Sequence, residues 1–218
     1  MNQIKAVIFD MDGLMIDSMM HWLKLDEHIF GECGVKLTEG MVKYMTGKSE
    51  KENISWLKIE HGINLSVEHL DKRRMMVDEI YSKKTQLMPG IINLVDKINK
   101  SECKQAIASG APIRSVQKVV ERFGWEDHFT ILVSADDVDH TGKPDPRIFL
   151  HTAEKMGIKP EECIVFEDAE NGVVAAKRAG MMCIAVPDKR WSFGVFDEAD
   201  LIVDSLEDEQ IFKLLGLN

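Results

Sequence analysis

Asp10 and Asp12 stand one residue apart in Phe9–Asp10–Met11–Asp12–Gly13, directly after a short apolar run. If that run is a strand, side-chain alternation points both carboxylates to the same side. Carboxylates this close resist joint ionisation unless a cation lies between them, and magnesium favours such hard oxygen ligands. Gly13 permits an immediate backbone bend. A solvated turn uses the same residue types, so the rest of the chain must decide between the two. Three further groups could work with the pair. Glu167–Asp168 follows the apolar run Cys163–Phe166 and could add carboxylates to a metal site. Ser109 and Gly110 end Ile107–Ala108–Ser109–Gly110, where a hydroxyl and neighbouring amides can hold a phosphoryl oxygen. Lys143 sits in the stiff loop Gly142–Lys143–Pro144–Asp145–Pro146 and offers a point cation suited to phosphate. Each has an ordinary alternative: a charged helix start, a strand-to-helix turn, a solvated lysine.

These residues need elements that bring them together. Ile4–Phe9, Gln105–Ser109, Ile131–Ser134, Cys163–Glu167, Cys183–Val186 and Leu201–Val203 read as short strands. Several are continuous apolar runs, the pattern of strands covered on both faces in a parallel sheet. Helices fit between them at Gly90–Ser101, Ile113–Phe123, Pro146–Met156 and Ala169–Ala179. Asp145–Pro146 suits a helix start, and Gly157 and Gly180 suit helix stops. Three of the four chemical groups then follow strands, and ligands of open α/β sheets bind outside the strands' carboxyl ends.

From Asp17 to Met88 the alternation stops. Helical periodicity covers Met19–Cys33, Thr38–Met45, Glu50–His61 and Ser66–Lys84, with no convincing strand. The expectation is an α/β core of residues 1–16 and 89–218, with residues 17–88 inserted as a helical domain. The insert is nearly neutral, so most of the net charge of −10 falls on the α/β part. That acidity argues against a general nucleic-acid binder. It also requires a metal and local cations to reverse the field where an anionic substrate binds. No apolar run reaches the roughly 20 residues of a membrane span, and the N-terminal residues do not read as a secretory signal. Cys33, Cys103, Cys163 and Cys183 are widely spaced, without a C-x-x-C pair, which disfavours disulfides and structural zinc and places the chain in a reducing cytoplasm.

The order Asp10-x-Asp12, Ser109, Lys143, Glu167–Asp168 resembles the four motifs of the haloacid dehalogenase-like superfamily. The strings FDMDGLMIDS, IASGA, GKPDP and FEDAENGVVAAKRAGM resemble its phosphoglycolate phosphatase and β-phosphoglucomutase branch, and the likeness spans nearly the whole chain. It implies an α/β fold, with a Rossmann-like parallel sheet sandwiched by helices and an inserted α-helical cap. It implies Asp10 as nucleophile on a phosphate monoester, through an aspartyl-phosphate intermediate, and Asp12 as general acid and base. Mg2+ is expected on Asp10, the Asp12 carbonyl and Asp168, with Ser109 and Lys143 on the phosphoryl oxygens. Glu167 is expected to position Lys143 and the metal's waters. The implied partner is a small-molecule phosphate ester, with a monomer as the family's default.

Departures narrow the branch. Asp12 argues against the dehalogenating members, which lack that aspartate, and against the phosphonate-cleaving ones, which carry a small residue there. A β-phosphoglucomutase grips a second phosphate with a cap arginine where this chain has Glu50, though Lys48 stands nearby. Its lysine–asparagine pair is replaced by Pro112–Ile113, and its cap histidine aligns with Trp22, one residue from His21. A phosphatase is therefore expected over a mutase, with His21, Trp22, Lys48 and Glu50 as candidate substrate contacts in the cap. A catalytically silent binding protein on the same fold is the alternative of another class, disfavoured by the intact Asp10, Asp12, Lys143 and Asp168.

Overall fold

A computed structural model describes residues 3–217. The sheet has six strands in the order β3-β2-β1-β4-β5-β6, all parallel. They are β1 (Ala6–Phe9), β2 (Lys104–Ser109), β3 (Ile131–Ser134), β4 (Cys163–Glu167), β5 (Met182–Ala185) and β6 (Leu201–Ile202). β1 is apolar at every position, and β2 and β4 are apolar over Ala106–Ala108 and Cys163–Phe166, because both faces are covered. Val7 and Phe9 of β1, Ile107 of β2 and Ile164 and Phe166 of β4 pack into one core. Ala6, Ile8, Ala106, Ala108, Cys163 and Val165 pack into the other. This is side-chain alternation with an apolar layer waiting on each side.

Four helices lie between β1 and the rest of the sheet: α1 (Met19–Glu32), α2 (Glu39–Met45), α3 (Glu50–His61) and α4 (Val67–Glu79). The last runs into one π-helical turn, Ile80–Lys84. After it come α5 (Ile91–Asn99) and α6 (Ile113–Phe123), which fill the first core with Leu94, Val95, Val116 and Val119. Helices α7 (Arg147–Met156) and α8 (Glu170–Arg178) fill the second with Phe149, Ala153, Val173 and Ala176. Helix α9 (Glu209–Leu215) is the last element among the described residues and adds Ile211 to the first core. Its seven residues follow the short β6 and were not anticipated, since the pattern is too brief to stand out from a loop.

Most expected elements appear within one or two residues. The edges move where backbone partners decide them: β5 begins at Met182 and ends at Ala185 because it pairs with β4 from Ile164 to Glu167. Asp145 does serve the start of α7, but one residue further in, accepting from the Arg147 amide at 2.9 Å. The long helix expected over Ser66–Lys84 changes to π geometry at Ile80, a shift that often marks functional sites.

The two chain crossings between sheet and inserted helices lie side by side. Ile16 bridges Leu87 in antiparallel fashion, and Met88 donates to the Met15 carbonyl at 2.9 Å. On the far side the loop before α3 rests on the core. Ser49 closes a capping box with Glu52, and its hydroxyl also donates to the His140 carbonyl at 2.5 Å. Glu52 in turn accepts from the Gly142 amide at 2.7 Å. Ser49→Ala is expected to lower unfolding stability by about 1–2 kcal/mol, read as a shift in the urea midpoint at unchanged slope.

Candidate active site

Because β2, β1 and β4 are adjacent and parallel, Ser109, Asp10 and Glu167–Asp168 emerge at the same edge of the sheet. The chain leaves β1 toward β2 and later returns to β4 on its other side, which opens a crevice at the carboxyl ends. Beneath it the Lys143 ammonium, 1% exposed, pairs with Asp10 Oδ1 and Glu167 Oε1, and donates to the Ala108 carbonyl at 3.4 Å. Glu167 is fixed from behind: Oε2 accepts from the Asp168 and Ala169 amides at 3.2 and 3.3 Å. Burial works against the charge on Lys143, yet its two carboxylates hold its pKa above the ordinary lysine value.

Asp12 has different surroundings. Its Oδ1 accepts from Ser18 Oγ at 2.6 Å and Trp22 Nε1 at 3.2 Å, and its Oδ2 accepts from Tyr81 OH at 2.9 Å. Ser18 lies just past the first crossing, Trp22 on α1, and Tyr81 on the π turn. Burial pushes the Asp12 pKa up to about 6, against the hydrogen bond from Ser18 and with help from the nearby Asp10 charge. A carboxyl that titrates near neutrality and is aimed by three donors can both give and take a proton. Burial, with Asp12 beside it, keeps the Tyr81 hydroxyl protonated as a donor.

Asp10, Glu167 and Asp168 each place a carboxylate oxygen within 4.8 Å of the others. Burial lifts all three pKa values, against the pull of Lys143 and of nearby backbone amides. Asp168 Oδ2 is buried and accepts no hydrogen bond. Gly13 stands against it: its φ is +83°, and a Cβ there would overlap that same oxygen. Three hard oxygen donors short of positive charge, one of them unpartnered, fit a divalent cation.

The chain matches the haloacid dehalogenase-like hydrolases over residues 4–180. It belongs to that family. It is 31% identical over 82% of its length to the phosphorylated carbohydrates phosphatase of Thermotoga maritima, of which it covers 82%. It is 30% identical over 94% of its length to the β-phosphoglucomutase of Bacillus subtilis, of which it covers 91%. Among solved structures, the β-phosphoglucomutase of Clostridium difficile superposes with a TM-score of 0.81 at 24% identity, covering 98% of both chains, which bears on the fold alone.

An open cleft lies over this hydrolase's carboxylate cluster. Asp10, Asp12, Ser109, Gly110, Glu167 and Asp168 line its base, and Trp22, Lys48 and Glu50 line the helical side. Ser109 Oγ accepts from the Ala111 amide at 3.1 Å. Two expected residues do not reach the cleft wall. Lys143 lies under Asp10. His21 precedes Trp22 on α1, and the roughly 100° step between helical neighbours turns it away when Trp22 faces the cleft. The Asp12 carboxylate stands outside the three-carboxylate cluster, held by its own donors.

The sequence did not single out Ser18, Tyr81, Asp26 or Arg73. Tyr81 lies 69 residues from Asp12 and reaches it through the π turn, which no helical period reveals. Arg73 looks like one more basic residue in Lys72–Arg73–Arg74, yet it is 8% exposed and ion-paired. Ser18 was visible as a hydroxyl at the start of α1, where its side chain makes no cap bond.

Proposed function

We propose that this hydrolase is a magnesium-dependent phosphatase acting on a small phosphate monoester, a sugar phosphate or similar metabolite. The observation that carries it is the placement of Asp10, gripped by Lys143 inside the carboxylate cluster, beside an Asp12 aimed separately by three donors. Lys143 holds Asp10 Oδ1, so Oδ2 is the attacking oxygen. It displaces the alcohol in line and leaves the phosphoryl group on Asp10. Asp12 hands its proton to the departing oxygen, then takes one from the water that hydrolyses the aspartyl phosphate. Ser109 and the amides around Gly110 bind phosphoryl oxygens, and Glu167 fixes Lys143. Held by Asp10 and Asp168 with Glu167 nearby, magnesium would neutralise charge between nucleophile and phosphoryl group. Residues 17–88 act as a cap domain whose opening admits substrate and whose closing sheds water, around the paired crossings at Ile16 and Leu87. The four free thiols suit a reducing cytoplasm. Among the described residues no helix is long and apolar enough to cross a membrane.

The relatives support a phosphorylated small-molecule substrate, since one is named for phosphorylated carbohydrates and another for phosphoglucose. Phosphate release from a panel of sugar, polyol and small-acid monophosphates tests the reading. Stripping the metal with a chelator is expected to lower turnover by roughly 10³-fold, the worth of several kcal/mol of charge stabilisation, with recovery on adding Mg2+. Undiminished turnover after chelation would contradict it.

A further inference from the structure

We infer that the cap side of the cleft selects a neutral, polyhydroxylated leaving group and rejects one carrying a second anion, through an ion triad of Arg73, Asp26 and Glu50. This rests on the phosphatase reading, because it concerns what is attached to the oxygen that Asp12 protonates. That oxygen must lie near Asp12, whose Oδ1 accepts from Trp22 Nε1. The leaving group therefore extends past Trp22. The Arg73 guanidinium sits there, 5.0 Å from the Trp22 ring centroid. A lone buried arginine at this point would grip a second phosphate or a carboxylate. This one is already taken: Nη1 donates to Glu50 at 2.5 Å, and Nη2 lies 3.5 Å from Asp26. Arg73, Asp26 and Glu50 all line the cleft.

The triad carries one positive and two negative charges, so an anion brought up to Arg73 meets a group of net negative charge. It would have to displace Glu50 and stay beside Asp26. A hydroxyl faces no such conflict, since it donates to either carboxylate. Asn53 adds a second, independent sign. Its amide nitrogen donates to the Met45 carbonyl at 3.0 Å, while its buried Oδ1 has no hydrogen-bond partner. Asn53 lines the same wall, and an unpartnered buried acceptor calls for a donor from the ligand. Three acceptors together match hydroxyl groups. The cleft has three other cations, Lys48 on the same helical side and Arg74 and Arg114: Arg74 and Arg114 are exposed, Arg74 pairs with Asp71, and Lys48 lies over the Tyr44 ring. They suit attraction of the phosphate to the mouth.

The test compares kcat/KM for glycerol phosphate and phosphoglycerate, a matched pair that differs by a carboxylate, with a hexose bisphosphate as a second anionic ester and para-nitrophenyl phosphate as control. Wild-type enzyme is expected to prefer glycerol phosphate by at least about tenfold. Glu50→Gln and Asp26→Asn are each expected to shrink that ratio by about tenfold, by freeing Arg73 for the anion. Equal use of both esters by the wild type, efficient use of the bisphosphate, or an unchanged ratio in both variants would overturn the triad's role. If para-nitrophenyl phosphate is hydrolysed in those cases, only the selectivity inference falls. If no ester is hydrolysed at all, the phosphatase reading fails and the inference with it.

Discussion

Asp10→Asn is expected to lower kcat for any phosphate ester by at least roughly 10⁴-fold while leaving the protein folded. Asparagine keeps the shape of the side chain but has no anionic oxygen to attack phosphorus. The remaining machinery cannot compensate, because Lys143, Ser109 and the carboxylate cluster only hold groups in place around that oxygen. The fold should survive for a reason visible in the site. Lys143 keeps its second partner, Glu167 Oε1, so no buried ammonium is left unpaired. The substitution also removes one of the three carboxylates that crowd within 4.8 Å, which relieves repulsion when no metal is bound. Thermal unfolding without added metal should therefore show a midpoint equal to or above that of the wild type. A large fall in the midpoint would mean that lost activity reports misfolding rather than lost chemistry.

Asp12→Asn is expected to cost roughly 10²- to 10⁴-fold, by an amount set by the leaving group. An alkyl phosphate needs a proton on its departing oxygen, so its first step slows most. Para-nitrophenolate leaves without that proton, so attack by Asp10 proceeds. Hydrolysis of the aspartyl phosphate still lacks its base. The variant should then release a burst of nitrophenol close to one equivalent per active site, followed by slow turnover. Equal loss on both esters, with no burst, would show that Asp12 does not transfer the proton.

The parts of this site written in neighbouring residues were legible, and the parts made by distant ones were not. β1 and β4 announce themselves because strands buried on both faces must be apolar at every position, and the carboxylates that end them stand out against that background. The parallel pairing that brings Ser109, Asp10 and Asp168 to one edge follows from the same runs. Lys143 was legible as a cation in a stiff loop; that its ammonium pairs with Asp10 and Glu167, from a loop whose Gly142 amide is tied to Glu52, was not. Asp12's partners were hidden because two segments supply them, the start of α1 with Ser18 and Trp22 and the π turn with Tyr81. Tyr81 depends on a π turn, and Trp22 on the rotation of α1. Arg73 needed a fold to show that a residue in a basic run is buried between two carboxylates. Glu50 was legible as a charge where a relative carries the opposite one. That it neutralises an arginine from another helix was not.

The most direct measurement is to quench the enzyme with acid during turnover of para-nitrophenyl phosphate and map covalently bound phosphate by peptide mass analysis. Phosphate on Asp10 is the expected result, scarce in the wild type and accumulating in Asp12→Asn. Phosphate on another side chain, or turnover with no phosphate on the protein in either form, would contradict Asp10 as the nucleophile.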